Sequence, residues 1–162
     1  MGDKLTLGGD PIKYGYVSGP RSIVSMPLAA SVVFGARYGC FVYVNGSGYI
    51  TRCADGTPQI IGWADVPNGS ADFTSSSTAG QDWVDVDIST SSLYRMAVGD
   101  TGTIAVTDRL ETCDLVYDDT NDQKLDIDSS AEDVVQMVSI DVTNNNAIVR
   151  INPNKTCVQG VA

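Results

Sequence analysis

The sequence predicts an all-β fold, a small β-barrel or β-tulip body preceded by an extended N-terminal arm. Valine, isoleucine and threonine supply 43 of the 162 residues, whereas glutamate and lysine number only 2 and 4. Side chains branched at Cβ suit a pleated strand surface and lose rotamer freedom in a helix. No window of ten or more residues carries apolar side chains at helical spacing with end caps to match. Short period-two segments recur instead, separated by Gly, Asn, Asp and Pro turns, the pattern of a barrel or sandwich built from short strands.

Residues 1–35 read as the arm. They contain repeated Gly and Pro punctuation and the small run Ala29-Ala-Ser31, without a compact strand rhythm. Their charge also differs: residues 1–60 hold five basic and three acidic groups, residues 61–162 five basic and seventeen acidic. Residues 36–162 read as a single body. Alternation predicts strands at 40–44, 83–88, 103–106, 115–117, 134–140 and 147–151. Between them lie the turns Asn45-Gly-Ser-Gly48, Asp55-Gly56, Pro67-Asn-Gly69, Gly99-Asp-Thr-Gly102 and Asn144-Asn-Asn146. Residues 67–81 are too polar for a core strand and are expected as a long exposed loop. A weak internal repeat is also visible. Cys40-Phe-Val-Tyr-Val44 followed by residues 60–66 resembles Cys113-Asp-Leu-Val-Tyr117 followed by residues 134–140, and two such hairpin units are expected to close a barrel between them.

Composition excludes several classes of function. The net charge of −10 opposes nucleic acid binding through a basic patch. Histidine is absent, which removes the Ser-His-Asp triad, the Cys-His dyad and the zinc HExxH helix. No apolar run approaches the ~20 residues of a membrane span, and the start of the chain has no signal-peptide pattern, so synthesis in a cytosol and no membrane partner are expected. Cys40, Cys53, Cys113 and Cys157 form no CxxC pair. They are expected to be small buried hydrophobes, a Cys40–Cys53 bridge being the alternative. No metal, cofactor or catalytic residue is expected.

Three groups of residues invite a chemical reading. Acidic residues crowd positions 114–128, as a calcium loop requires, but the spacing lacks an EF-hand's glycine and closing glutamate, and a charged hairpin tip explains them. Asp85 and Asp87 alternate on one strand face about 7 Å apart, a separation also used by glycosidase pairs, although alternation is equally what a half-buried strand demands. Phe41, Tyr43, Tyr49, Trp63 and Tyr94 fit core packing, a subunit interface or a sugar platform.

The order of features resembles one family. An irregular arm is followed by Gly39-Cys-Phe-Val-Tyr-Val44, by Ile60-Ile-Gly-Trp-Ala64, by Val98-Gly-Asp-Thr-Gly102, by Cys113-Asp-Leu-Val-Tyr117 and by a last hairpin ending Ala147-Ile-Val-Arg-Ile151. Over residues 35–151 this is similar to the tailed-bacteriophage capsid decoration, or structural cement, proteins. The polar 67–81 segment departs from their pattern. The resemblance implies a non-enzymatic virion protein on the outer surface of an assembled icosahedral head. It implies a homotrimer that ties neighbouring major capsid proteins together, with Leu5, Leu7, Ile12, Tyr14, Tyr16 and Arg21 as the capsid-binding residues of the arm. A carbohydrate- or receptor-binding β domain of a tail or fibre shares the same composition.

Overall fold

The structure is a computed structural model that describes residues 14–35, 39–54, 56–65, 71–99, 102–117, 121–128 and 131–156. All regular structure in these residues is β apart from three single 3₁₀ turns. The strands are β1 (Gly15–Ser18), β2 (Ile23–Pro27), β3 (Val33–Phe34), β4 (Cys40–Val44), β5 (Ile50–Arg52), β6 (Gly62–Ala64) and β7 (Phe73–Thr74). They continue as β8 (Trp83–Asp87), β9 (Leu93–Ala97), β10 (Thr112–Val116), β11 (Lys124–Asp126), β12 (Val135–Asp141) and β13 (Asn146–Ile151).

Two sheets share one topology. In the first the order is β2-β8-β6-β4-β5, and in the second β9-β13-β12-β10-β11 with β1 added outside β9. All ladders are antiparallel. Each sheet also curls until its far strand meets the residue that follows its first strand. A parallel bridge joins Leu28 to Ile50 in one sheet and Val98 to Leu125 in the other. Matching bonds run from Ala29 N–H to Ile50 O at 2.8 Å and from Gly99 N–H to Leu125 O at 2.9 Å. The chain is therefore an internal repeat of a five-stranded unit.

The repeat was expected, but its geometry differs from the expectation. Each unit curls on itself through one bridge, and among the described residues no continuous barrel closes between the units. The cysteines are also out of step. Ile50 and Leu125 make equivalent bridges, and their cross-strand partners are Val44 and Leu115. Counting back, Val42 rather than Cys40 holds the place of Cys113.

Burial follows from this arrangement. Leu28, Phe34, Val42, Ile50, Val84 and Val86 fill the first unit, closed by the small β3–β7 ladder. Met96, Leu115, Leu125, Met137, Val149 and Ile151 fill the second. Phe41 and Trp63 leave the opposite face of the first unit and pack on Tyr94 of the second, with ring centroids 5.3 and 4.6 Å away. β4 is thus buried on both faces, which explains why residues 40–42 are apolar without alternation.

Several expectations need correction. The boundary at residue 35 does not mark the end of an arm: residues 14–35 supply β1, β2 and β3, all paired within the body. Segment 67–81 is not wholly an exposed loop. Phe73 and Thr74 pair with β3, and buried Ser75 accepts from Val32 N–H and donates to Ala29 O. Side-chain hydroxyls replace the missing apolar pattern there, so composition hid the strand. Residues 103–106 are not a strand either. Only Ile104 enters the core, its N–H satisfied by Asn145 Oδ1 at 3.0 Å, and a 3₁₀ turn begins at Val106. Expectations at Leu5, Leu7, Ile12 and Cys157 lie outside the described residues.

Candidate functional site

The polar centre of the molecule lies where the chain passes between the units. It crosses twice, through residues 19–22 between β1 and β2 and through residues 88–92 between β8 and β9. Asp87 ends β8 beside both crossings and is completely buried. Its carboxylate accepts from Ser22 N–H at 2.9 Å and from Arg21 Nε at 3.2 Å on the first crossing. From the second it accepts Ser89 N–H at 3.1 Å and Ser92 Oγ at 2.7 Å, and Tyr94 Oη donates at 2.8 Å. Burial acts to raise the pKa of Asp87, but the bonds from Ser22, Ser92, Tyr94 and Ser89 outweigh it and hold the carboxyl below its ordinary value. Tyr94 is pushed far above its ordinary value by burial and by the adjoining Asp87 charge.

The first crossing is fitted to this clasp. Gly19 has φ +109°, and a Cβ there would stand 2.5 Å from Ser91 O, so only glycine lets the two crossings touch. Ser92 Oγ also reaches Pro20 O at 3.1 Å. Arg21 spans Asp87 and Asp65, the latter at 2.6 Å, with its guanidinium 4.7 Å from the centre of the Tyr16 ring.

This geometry answers the chemical readings. Asp85 and Asp87 share a strand face but no common space, since Asp87 lies under Tyr94 and Arg21 whereas Asp85 stands in solvent. A carboxylate engaged by five donors is a structural anion. In the acidic 114–128 segment, β10 and β11 form the expected hairpin. Buried Asp114 there accepts backbone N–H groups of Ala131, Glu132 and Asp133 at 3.1, 3.1 and 2.5 Å, so successive amides neutralise it in the manner of an anion nest. Among the described residues no three acidic or thiol side chains are placed to hold a metal ion.

Phe41, Trp63 and Tyr94 are core, as one of the three readings had it. Cys40, Cys53 and Cys113 are buried and take part in no disulfide among the described residues. Cys53 lies in the core of the second unit and Cys40 in that of the first, on opposite sides of the sheet, so the alternative bridge between them does not form. Burial pushes the Cys40 thiol up to about 12 despite a bond with Tyr117 and the charge of Arg52. Gln123 joins the two halves. Its Oε1 accepts from Phe41 N–H at 2.7 Å, and its Nε2 donates to Phe41 O and Cys53 O.

Of the six arm residues, Tyr16 and Arg21 come together at the crossing and Tyr14 lies just before β1. The exposed apolar surface is elsewhere as well. Ile23, Val24 and Trp83 are 47, 39 and 58% exposed on β2 and its neighbour β8, Tyr16 and Val17 are exposed on β1, and Val44, Val106, Leu110 and Val142 are exposed elsewhere. Sequence reasoning missed β2 because its alternation is blurred: residues 23–25 are all exposed.

No helix among the described residues is long and apolar enough to cross a membrane. No family model matches the chain, and neither a curated protein nor a solved structure does.

Proposed function

We propose that this protein is a non-enzymatic capsid decoration protein. It binds the outer surface of an assembled icosahedral head, as a homotrimer, and cements neighbouring major capsid proteins. The observation that carries this reading is the placement of exposed apolar side chains. Of the nine exposed large apolar side chains among the described residues, five, Tyr16, Val17, Ile23, Val24 and Trp83, lie on β1, on β2 and on the β8 strand paired with β2, while the buried carboxylates Asp87 and Asp114 are bound internally. Apolar exposure gathered at sheet edges suits attachment to another protein. Repetition of one contact around a symmetric head turns a modest affinity into stable decoration. The order of sequence motifs supports the same reading.

Sedimentation with empty heads tests it. Decorated heads should melt at higher temperature and retain DNA better than stripped ones, with a gain that tracks occupancy. Equal melting and equal DNA retention with and without the protein, or residence at a tail tip, overturns the proposal. A second reading, a glycan-binding domain of a tail or fibre, draws on Trp83 alone, an exposed indole beside the Asp85 carboxylate.

A further inference from the structure

The internal repeat leaves one position unequal. β2 in the first unit and β9 in the second are equivalent, since Leu28 and Val98 one residue beyond them make the same parallel bridge. β9 is covered on its outer edge by β1, with Gly15 opposite Arg95 and Tyr16 opposite Tyr94. β2 is an edge strand, and among the described residues nothing pairs with its outer side. Burial differs too: Tyr94, against Tyr16 of β1 and stacked on Trp63, is fully buried, whereas Val24 at the matching place is 39% exposed.

We infer that the outer edge of β2 is an acceptor for an extended strand of a partner protein. That strand carries a lysine or arginine flanked, two residues away on each side, by apolar residues. The backbone sets the register. Ile88 N–H bonds Ser22 O and Leu28 N–H bonds Asp82 O, so even-numbered residues of this strand face β8, and Ile23 and Ser25 turn their N–H and C=O groups outward. Pro27 has no N–H and ends the ladder. The side chains set the chemistry. Ile23, Ser25 and Pro27 share a face with their cross-strand partners Asp87, Asp85 and Trp83. An added strand lies about 10 Å from β8, two strand spacings, so a long cationic side chain opposite Ser25 reaches over that small residue to exposed Asp85. Arg21 does not neutralise Asp85, being held by Asp65 and Asp87. Apolar residues opposite Ile23 and Pro27 cover the exposed isoleucine and Trp83.

Charge selects a foreign strand over a second copy. The chain carries −10, and two β2 edges brought together juxtapose two acidic faces. Residues 1–13 contain no lysine flanked two residues away on both sides by apolar side chains other than proline or glycine.

This inference rests on the attachment reading and names the chemistry of its partner. The test uses the full chain and two capped, fluorescently labelled peptides, TTVTRTVTT and TTVTETVTT, with anisotropy as readout. The arginine peptide should bind at least tenfold more tightly than the glutamate peptide, and Asp85→Lys should reverse that order. Ser25→Pro removes the outward N–H and should abolish binding of both peptides; Ile23→Pro is the second variant if melting shows that Ser25→Pro does not fold. An unchanged preference in Asp85→Lys, no binding at millimolar peptide, concentration-dependent dimerisation blocked by Ser25→Pro, or glycan binding lost in Trp83→Ala overturns the inference. Sedimentation with heads separates the two failures. If Asp85→Lys and Ser25→Pro still decorate heads as the wild type does, the strand site alone is wrong, and if the wild type does not decorate, the attachment reading is wrong.

Discussion

Tyr94 Oη donates a 2.8 Å hydrogen bond to Asp87 Oδ2, joining the first strand of one unit to the last strand of the other. Because Ser22, Arg21, Ser89 and Ser92 meet the same carboxylate, a single side chain holds both crossings between the units.

Asp87→Ala is expected to cost about 3–5 kcal/mol, since it leaves the N–H groups of Ser22 and Ser89 and the Tyr94 hydroxyl without their acceptor and takes from Arg21 the buried one of its two carboxylates. Urea denaturation monitored by circular dichroism measures this. A loss below about 1 kcal/mol contradicts the clasp.

The clasp also predicts a pH dependence. A carboxylate held below its unfolded value contributes stability that is present above about pH 4 and is lost as the pH falls through the depressed native value. The wild type and Asp87→Asn should therefore differ most near neutrality and converge in strong acid. Parallel stability curves for the two proteins across the acid range would show that Asp87 is not the group responsible.

Gly19→Ala should destabilise by about 1–3 kcal/mol, because it forces a side chain into a positive-φ conformation against Ser91 O. Gly46→Ala, where a Cβ meets nothing within 4 Å, is the control and should stay within about 0.5 kcal/mol of the wild type. Equal melting temperatures for the two variants would refute the close crossing.

Thiol reagents should modify Cys40 and Cys113 only as fast as the protein opens. Both are buried, and burial raises both pKa values, with neighbouring carboxylates adding to the effect at Cys113. Mass spectrometry after timed labelling in native buffer and in urea reads this directly. Rapid native labelling at either position would place it at the surface.

Gln123→Ala should cost about 2 kcal/mol, as it orphans the N–H of Phe41 and takes the Nε2 donor from the carbonyls of Phe41 and Cys53, the first of which keeps only its bond from Cys53 N–H. Gln123→Glu should be no milder, since a carboxylate cannot donate to Phe41 O and Cys53 O. A neutral Gln123→Glu in the urea titration would mean that the Nε2 bonds to those carbonyls contribute no stability.

The sequence by itself determined the all-β class, because β-branched residues and turn signals act locally and need no partner to be read. It also determined the position of the 40–44 strand and the hint of a repeat, through the likeness of two hairpins. What it did not reveal depends on contacts distant in the chain. Residues 14–35 looked like an arm because edge strands lack the burial that produces alternation, as exposed Ile23, Val24 and Ser25 show. Asp85 and Asp87 looked alike because alternation places both on one face, yet folding sends Tyr94 and Arg21 over only one of them. Phe73 and Thr74 became a strand only because Val33 and Phe34, forty residues away, lacked a neighbour. Only the tertiary structure decided that β1 covers β9 and leaves β2 open, since backbone edges carry no side-chain signature and their pairing depends on how the two units are joined.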